Sequence, residues 1–386
     1  IWPNGLIQNE IQQPTRQSLS YEEKERLSGS CPTLFAWNGH KFELITDLLG
    51  AASLGLQVAE DRYFPTDHDE YVLIDEMSLA PVNNRYEIRI TEELREVAYL
   101  DQIRLLALDH PDQMDIFTND KLQSPPFPSL HLFGVEKRLH PIQARDHRGR
   151  NVLPLINALD DRYPGDFTRQ YSGVTETHAL EMDFGSQAIA HTQTILVLNG
   201  WLDWAHSSSF LKMAQEKESV VMPYLQVKDV HGQWQTIISD MGIPAGKPKT
   251  IVVDLSNKFL SSAREVRIVT NLCIYWDEIF MASDAVSPLD QLKEIPLVEA
   301  QLRFRGFSAA SIHPQRKRPE WFDYSRVHPV SMWNPTSGYY TRYGPVHELI
   351  GTVDDRFVIM GSGDEIKLSF DATGLLPPEK GFTRTF

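Results

Sequence analysis

The sequence predicts an all-β fold, with two or more β-sandwich or jelly-roll-like modules, long loops and little helix. Three observations indicate this class. Short apolar runs of strand length recur between turn signals. The 24 prolines and 22 glycines are scattered through all 386 residues. Helical signals are confined to two short stretches, 21–27 after Ser20 and 210–218 after three serines.

Local patterns define the individual strands. Asn38 and Gly39 separate two apolar-rich runs, and this dipeptide is typical of a hairpin with a type I′ turn. Residues 86–91 alternate between apolar and polar side chains, as a half-buried strand does. Further strands are predicted at 103–108, 194–198, 251–253, 266–270, 358–360 and 366–370.

A repeated pattern predicts an internal duplication. An Arg-Ile strand is followed both times by Tyr-x-Asp-x-Ile, first as Tyr99, Asp101 and Ile103, then as Tyr275, Asp277 and Ile279. We expect both isoleucines in a sandwich core. Because a buried carboxylate needs hydrogen bonds, both aspartates should be bound by backbone N–H groups or a cation of the preceding loop. Chance similarity between two amphipathic strand pairs is the alternative.

Charge and composition exclude some functions. The chain has 37 Lys and Arg against 52 Asp and Glu, a net charge of −15, which disfavours nucleic-acid partners. No apolar run approaches the roughly 18–20 residues of a membrane span. The two cysteines cannot form a disulfide framework or a zinc site. Cys31 and Cys273 form one bridge or stay free, and the apolar strand around Cys273 favours a buried thiol.

Catalytic patterns are weak, so whether the chain is an enzyme stays open, with a non-catalytic role favoured. His206 precedes three serines, but the Gly-x-Ser-x-Gly motif is missing. A glycosidase needs two carboxyls about 5–10 Å apart, and the sequence does not place its acid pairs across a cleft. These pairs are Asp160 and Asp161, Asp354 and Asp355, and Glu92 and Glu93.

One acidic segment is a candidate cation site. Asp67, Asp69 and Glu70 lie beside His68 in a turn-like stretch after Pro65. Calcium prefers several carboxylate and carbonyl oxygens in one loop, so calcium is the possible cofactor. The spacing differs from an EF-hand, and a polar loop at the entry to a strand is the alternative.

Aromatic clusters are the candidate ligand-binding residues. Tryptophan and tyrosine combine an apolar ring with a polar tip, which suits a sugar face. Core packing is the alternative for the tryptophans. The predicted ligand-binding residues are Trp201, Asp203, Trp204, Trp333, Tyr339, Tyr340 and Arg342.

Several phrases resemble the C-terminal region of bacterial ASPIC/UnbV proteins, which are FG-GAP-repeat-associated and cartilage-acidic-protein-like. They are IWPNGLIQ at 1–8, SGSCP at 28–32, WNG at 37–39, TDLLG at 46–50, ITEELRE at 90–96, GWLDW at 200–204, DMGIPAGKPKT at 240–250 and TNL at 270–272. The resemblance implies an exported protein, secreted, periplasmic or on the cell surface. It also implies an upstream propeller domain in the same full-length protein, and we expect chain to be missing at both ends.

These observations predict five regions. They are a tail of the ASPIC/UnbV-like segment at 1–30, a first sandwich at 31–125, a linker with connecting strands at 126–190, a second, galactose-binding-like sandwich at 191–285, and an incomplete β-rich region at 286–386. The expected function is non-catalytic binding or adhesion towards carbohydrate or a protein partner. The alternatives are a secreted glycan hydrolase and a structural subunit of a larger surface assembly.

Overall fold

The structure, a computed structural model, describes residues 27, 32–48, 57–185, 193–205, 207–244, 246–330 and 336–386. Strand residues make up 44% of the part of the chain that the structure describes, which confirms the all-β prediction. Within these ranges the single α-helix, α1 (Ser207–Gln215), overlaps the helix predicted at 210–218 and begins on the three serines before it. The helix predicted at 21–27 lies outside the described residues except for Leu27. No helix in the described part is long and apolar enough to cross a membrane.

The strands are named in chain order. The first thirteen are β1 (Thr33–Trp37), β2 (Phe42–Asp47), β3 (Gln57–Ala59), β4 (Arg62–Tyr63), β5 (Arg85–Thr91), β6 (Val97–Leu100), β7 (Leu105–Pro111), β8 (Asp115–Thr118), β9 (Leu132–Val135), β10 (Gln143–Asp146), β11 (Arg169–Tyr171), β12 (Val174–Asp183) and β13 (Ile195–Leu202).

The remaining strands follow helix α1. They are β14 (Tyr224–Lys228), β15 (Trp234–Ile238), β16 (Lys249–Asp254), β17 (Glu265–Leu272), β18 (Ile274–Ala282), β19 (Lys293–Ile295), β20 (Leu297–Phe304), β21 (Phe307–Ser311), β22 (Trp321–His328), β23 (Gly344–Pro345), β24 (Val358–Gly361), β25 (Asp364–Asp371) and β26 (Phe382–Thr385). Three short 3-10 helices lie at Leu153–Leu155, Leu289–Gln291 and His347–Leu349.

Two antiparallel sheets form the framework. The first has the order β2-β1-β5-β25-β20-β23, and the second has the order β10-β12-β17-β14-β15 with β11 added beside β12. Apolar side chains of the first sheet share one buried cluster with β6, β7, β19 and β24. Those of the second share another with the three-stranded sheet β16-β13-β18. We call these two sandwiches the first module and the second module.

The chain is divided differently from the five predicted regions. The first module draws its strands from both the predicted 31–125 and 286–386 regions, because β5 pairs with β1 on one side and with β25 on the other. The second module includes β10 and β12 from the predicted 126–190 linker. The second module is therefore inserted between the two parts of the first. Local patterns identify strands but not their distant partners, so the sheets draw strands from more than one of the predicted regions.

The Asn38 hairpin is confirmed, with a different turn. Strands β1 and β2 pair directly across residues 38–41. Gly39 adopts a φ of 95°, which glycine tolerates without strain. The side-chain oxygen of Asn38 accepts the N–H groups of His40 and Lys41 at 3.0 and 2.9 Å. Asn38 itself has a negative φ, so the loop is a four-residue turn capped by the asparagine rather than type I′.

The two modules have matching sheet registers. In each module one isoleucine of a central strand faces apolar partners on both neighbouring strands. Ile268 lies opposite Leu225 and Leu180, and Ile90 lies opposite Leu34 and Ile366. Beyond these strands, Met182 faces Ala144 and Leu368 faces Ala300. The strand order β10-β12-β17-β14 of the second module thus matches β20-β25-β5-β1 of the first in order and register. The pair β10 and β12 comes before β14 and β17 in the chain, whereas β20 and β25 come after β1 and β5.

The Tyr-x-Asp-x-Ile segments are held in the same way in both modules. Each aspartate accepts backbone N–H groups from two consecutive aspartates, at 3.1 Å each for Asp277 and at 3.2 and 3.3 Å for Asp101. The donors are Asp160 and Asp161 for Asp277, and Asp354 and Asp355 for Asp101. This geometry supports the predicted duplication. The donor loops are distant in sequence, however, and not the preceding loops that we expected.

The two loops that supply these N–H groups are also alike. Each contains Asp-Asp-Arg followed by an aromatic residue, Tyr163 in one and Phe357 in the other. Each loop comes after a 3-10 helix whose C-cap residue is an isoleucine, Ile156 or Ile350. The carbonyl of Ile156 accepts the N–H of Ile279 at 3.0 Å, and that of Ile350 accepts the N–H of Ile103 at 3.1 Å. Ile279 is fully buried as predicted, whereas Ile103 is only partly buried.

Candidate functional site

A cavity of about 350 Å³ opens in the second module beneath the Asp-Asp-Arg-Tyr loop. It lies between this loop, the turn after β10 and the central strands β12 and β17. Aromatic rings and charged groups of both signs line it. They include Asp146, His147, Arg150, Tyr163, Phe167, His178, Tyr275 and Lys317. We call this cavity the aromatic pocket.

Three rings build one wall of the aromatic pocket. Tyr275, from β18, is almost completely buried. Tyr163 meets it edge-on with ring centroids 6.1 Å apart, and Phe167 is tilted against it at 5.3 Å. Tyr163 and Phe167 stay partly exposed. The loop can lie this close because a side chain at Gly165 would meet the Tyr275 ring, its Cβ only 2.6 Å from Cε1.

The predicted tryptophan platform lies behind this wall, inside the protein. Trp201 stacks on Tyr275 with centroids 4.4 Å apart and an interplanar angle of 10°, and only 3% of it is exposed. Trp204 is also buried. In this structure neither tryptophan offers a ring face to a ligand at the surface. Trp201 instead supports Tyr275, because stacked aromatic pairs stabilise each other beyond their area burial.

Asp203 is the buried anchor of an arginine. Its carboxylate is paired with the Arg169 guanidinium, which also donates to the Tyr275 hydroxyl at 2.8 Å. A second guanidinium, that of Arg316, lies 3.8 Å from Asp203. The predicted ligand-binding acid is therefore engaged in orienting Arg169 and Tyr275 from behind the pocket.

Two histidines also line the aromatic pocket. The His178 ring stacks on Phe167, with centroids 4.8 Å apart, and burial lowers its pKa to about 4. His147 Nε2 lies 3.1 Å from Glu176, whose carboxylate also binds the N–H of Thr168 and the Arg148 guanidinium. These hydrogen bonds lower the pKa of Glu176 to about 2. At neutral pH, His178 is thus an uncharged ring and Glu176 a fixed carboxylate.

The two carboxylates that line the pocket are both paired with arginine. Asp146 accepts Arg150 Nε at 2.7 Å, and Asp166 forms ion pairs with Arg148 and Arg150. A general acid needs a carboxyl with a raised pKa. Although burial acts to raise the pKa of Asp146, hydrogen bonds from Arg150 lower it below its ordinary value. Both carboxylates that line the pocket are thus held in ion pairs with arginines.

The predicted calcium ligands do not converge. Asp67 is buried and accepts the N–H of Asp69 at 3.2 Å, whereas Asp69 is exposed. Glu70 turns away to Lys249, 3.3 Å from its Nζ. In the described ranges, no group of three or more His, Cys, Asp or Glu residues is arranged to hold a metal ion. Acidic residues that are adjacent in the sequence need not direct their carboxylates towards one common cation.

Glu70 belongs instead to a buried clasp between the modules. The Lys249 ammonium, from β16, is surrounded by Asp47 at 3.4 Å and by Glu70 and Asp120 at 3.3 Å each. It also donates to the Asp47 backbone carbonyl at 2.6 Å. Asp47 and Glu70 come from the first module, so this clasp joins the modules through one fully buried cation.

The second predicted aromatic cluster is at the surface of the first module. Tyr339 is 96% exposed, and Tyr340 and Arg342 are also exposed. Trp333 lies outside the described residues, as does Cys31. Cys273 is a buried free thiol, and burial raises its pKa to about 12.

Neither a protein-family model nor a curated protein sequence matches the chain. The candidate site thus rests on its own geometry. Sequence reasoning missed Tyr163, Phe167 and His178. The signal that could have identified the first of these is the repeated Asp-Asp-Arg-aromatic motif at 160–163 and 354–357, because a motif that recurs with the Tyr-x-Asp-x-Ile segments indicates a shared structural role.

Proposed function

We propose that the protein is a non-catalytic binding protein that takes a carbohydrate unit in the aromatic pocket of the second module. The observation that carries this proposal is the lining of the pocket, where partly exposed Tyr163 and Phe167 rings stand beside Arg150 and Lys317. Small-ligand sites are typically about 300–1,000 Å³, largely apolar and equipped with a few orienting polar groups.

A sugar matches this combination of groups. The C–H face of a pyranose packs on an aromatic ring, and its hydroxyls bind charged and hydrogen-bonding side chains. His147 and the paired carboxylates of Asp146 and Asp166 supply acceptors around the rim, and the arginines supply donors. Neutral His178 holds Phe167 from the other side without adding charge.

The export and the ASPIC/UnbV membership stay predictions from the sequence resemblance, and we include them in this proposal. An exported protein encounters polysaccharides and glycoproteins, so the resemblance and the aromatic pocket are consistent with each other. The calcium-dependent version of the proposal receives no support from the described residues around Asp67.

Saturation-transfer NMR with methyl glycosides of galactose, glucose, mannose and N-acetylglucosamine tests the proposal. We expect transfer to at least one glycoside, weakened at least about tenfold in affinity by Phe167→Ala, which corresponds to about 1.4 kcal/mol. Tyr63→Ala is the matched control, because Tyr63 is 59% exposed and lies outside the pocket. Absence of transfer to all four glycosides, or equal binding by Phe167→Ala and the wild type, would contradict it. Release of free sugar from the glycosides would favour the hydrolase alternative.

A further inference from the structure

We infer that the first module carries a second carbohydrate site, formed by Tyr99, Tyr340 and Phe357 at the position equivalent to the aromatic pocket. This inference rests on the proposed function for the choice of ligand. The internal duplication identifies the position of this second site in the first module. We call the three side chains the aromatic patch.

The core of the aromatic patch repeats the wall of the aromatic pocket. Tyr99 and Phe357 meet edge-on with centroids 6.1 Å apart and an interplanar angle of 88°. The equivalent pair, Tyr163 and Tyr275, has the same separation of 6.1 Å and an angle of 73°. Because Asp101 binds the Asp-Asp-Arg-Phe loop as Asp277 binds the other, the backbone places both aromatic pairs alike.

Tyr340 adds a third ring from a different segment. Its ring lies over the backbone of Gly361, where a Cβ would come within 2.7 Å of the ring atom Cε1. Gly361 is the last residue of β24, which pairs with β6, the strand that carries Tyr99. The Tyr340 hydroxyl donates to the Thr336 carbonyl at 2.5 Å. A glycine at 361 thus leaves room for the Tyr340 ring against β24, the strand that pairs with the strand of Tyr99.

Exposure distinguishes the aromatic patch from ordinary core aromatics. Tyr99 is 51% exposed, and Tyr340 and Phe357 are each 38% exposed. Large aromatic side chains grouped at the surface indicate a binding surface more than scattered single ones do. Arg342 and Asp355, in the two loops beside the rings, are exposed and provide a donor and an acceptor for hydroxyls.

The exposure of the aromatic patch indicates which kind of carbohydrate it would bind. In the second module, Phe167 and the two histidines line a pocket of about 350 Å³, which suits a small unit. The aromatic patch shows its rings to solvent, so a sugar unit within a longer polysaccharide can lie on it and continue past both ends. Two such sites on one chain raise the avidity for a polymer that reaches both.

Fluorine NMR of protein labelled with 3-fluorotyrosine separates the two sites. Titration uses the methyl glycosides of galactose, glucose, mannose and N-acetylglucosamine. We expect saturable shifts at Tyr99 and Tyr340 in addition to those at Tyr163 and Tyr275. Phe357→Ala should weaken binding at Tyr340 at least about tenfold while the shifts at Tyr163 stay unchanged. The unchanged Tyr163 signals also show that this variant is folded.

The outcomes distinguish this inference from the proposed function. Shifts at Tyr163 and Tyr275 without shifts at Tyr99 and Tyr340 overturn the second site and leave the aromatic pocket standing. Shifts at Tyr99 and Tyr340 alone support the aromatic patch and overturn the proposed pocket. Shifts at none of the four tyrosines overturn both.

Discussion

The two modules place the same backbone scaffold in different side-chain surroundings. In the second module the repeated tyrosine, Tyr275, lies opposite Trp201 across the strand pair and is almost fully buried. In the first, Tyr99 lies opposite Ile359 and is half exposed. The aspartate that fixes the neighbouring loop is the same in both. The shared hydrogen bonds of the aspartate place the aromatic pair alike, but the strand beside the repeated tyrosine differs: β13 follows β12 in the chain, whereas β24 precedes β25. The tyrosine is a buried pocket wall where Trp201 of β13 covers it and a surface residue where β24 pairs with its strand.

The largest expected effect comes from the clasp that joins the modules. Lys249→Met leaves Asp47, Glu70 and Asp120 buried without their cation. Removing one partner of a buried ion pair costs about 3–5 kcal/mol, so we expect a loss of that order in urea unfolding. The control is Lys293→Met, whose side chain is 65% exposed and should change stability by less than about 0.5 kcal/mol. A Lys249→Met protein as stable as the wild type would show that the modules do not depend on this contact.

The same clasp predicts a pH dependence. Burial, and then the nearby Asp120 charge, raise the pKa of Glu70 from 4.5 to about 8. Between these two pH values the folded protein holds a proton on Glu70 that the unfolded chain has released. The free energy of unfolding from this group is therefore fully present below pH 4.5 and falls as the pH rises to about 8. The loss is of the order of a few kcal/mol.

Glu70→Gln isolates this titration. The amide stays neutral at every pH, so the variant should lose the downward slope that the wild type shows between pH 5 and 8 in urea unfolding. Groups outside the clasp, such as His178 with its lowered pKa, titrate equally in both proteins. Identical slopes in the two proteins would mean that Glu70 is charged in the folded state.

A smaller effect tests the duplicated aspartates. Asp277→Ala removes the buried carboxylate that accepts the N–H groups of Asp160 and Asp161, which should cost about 1–3 kcal/mol. Asp101 is only partly buried, so water can replace it, and Asp101→Ala should cost less than half as much. Thermal unfolding of the two variants measures both. A larger loss for Asp101→Ala would reverse the comparison between the modules.

Local sequence patterns predict the strands well, because alternation and turn chemistry act over a few residues. The pairing of β5 with β25 joins residues 85–91 to 365–371, and no local pattern contains that information. The Tyr-x-Asp-x-Ile repeat does indicate the duplication, because in both modules its aspartate accepts two backbone N–H groups from a neighbouring loop. It does not reveal that the donors lie at 160–161 and 354–355.

Of the residues at the candidate site, the sequence predicted only those that lie behind the aromatic pocket and hold its lining residues in place. Trp201 and Asp203 lie next to the aromatic pocket, but burial assigns them to holding Tyr275 and Arg169 in place. An aromatic residue in a sequence gives the same signal whether it faces a ligand or the core. The sequence therefore pointed to the buried Trp201 and not to the partly exposed rings of Tyr163 and Phe167. Tyr340 is found at the surface, where its role in sugar binding stays a prediction.

A crystal structure of the protein grown with the methyl glycoside that shows the strongest saturation transfer tests the central claim most directly. We predict a pyranose in the aromatic pocket, packed against Phe167 and Tyr163, with its hydroxyls bonded to the charged groups of the rim. An aromatic pocket free of sugar, with the glycoside bound elsewhere on the protein, would contradict the account.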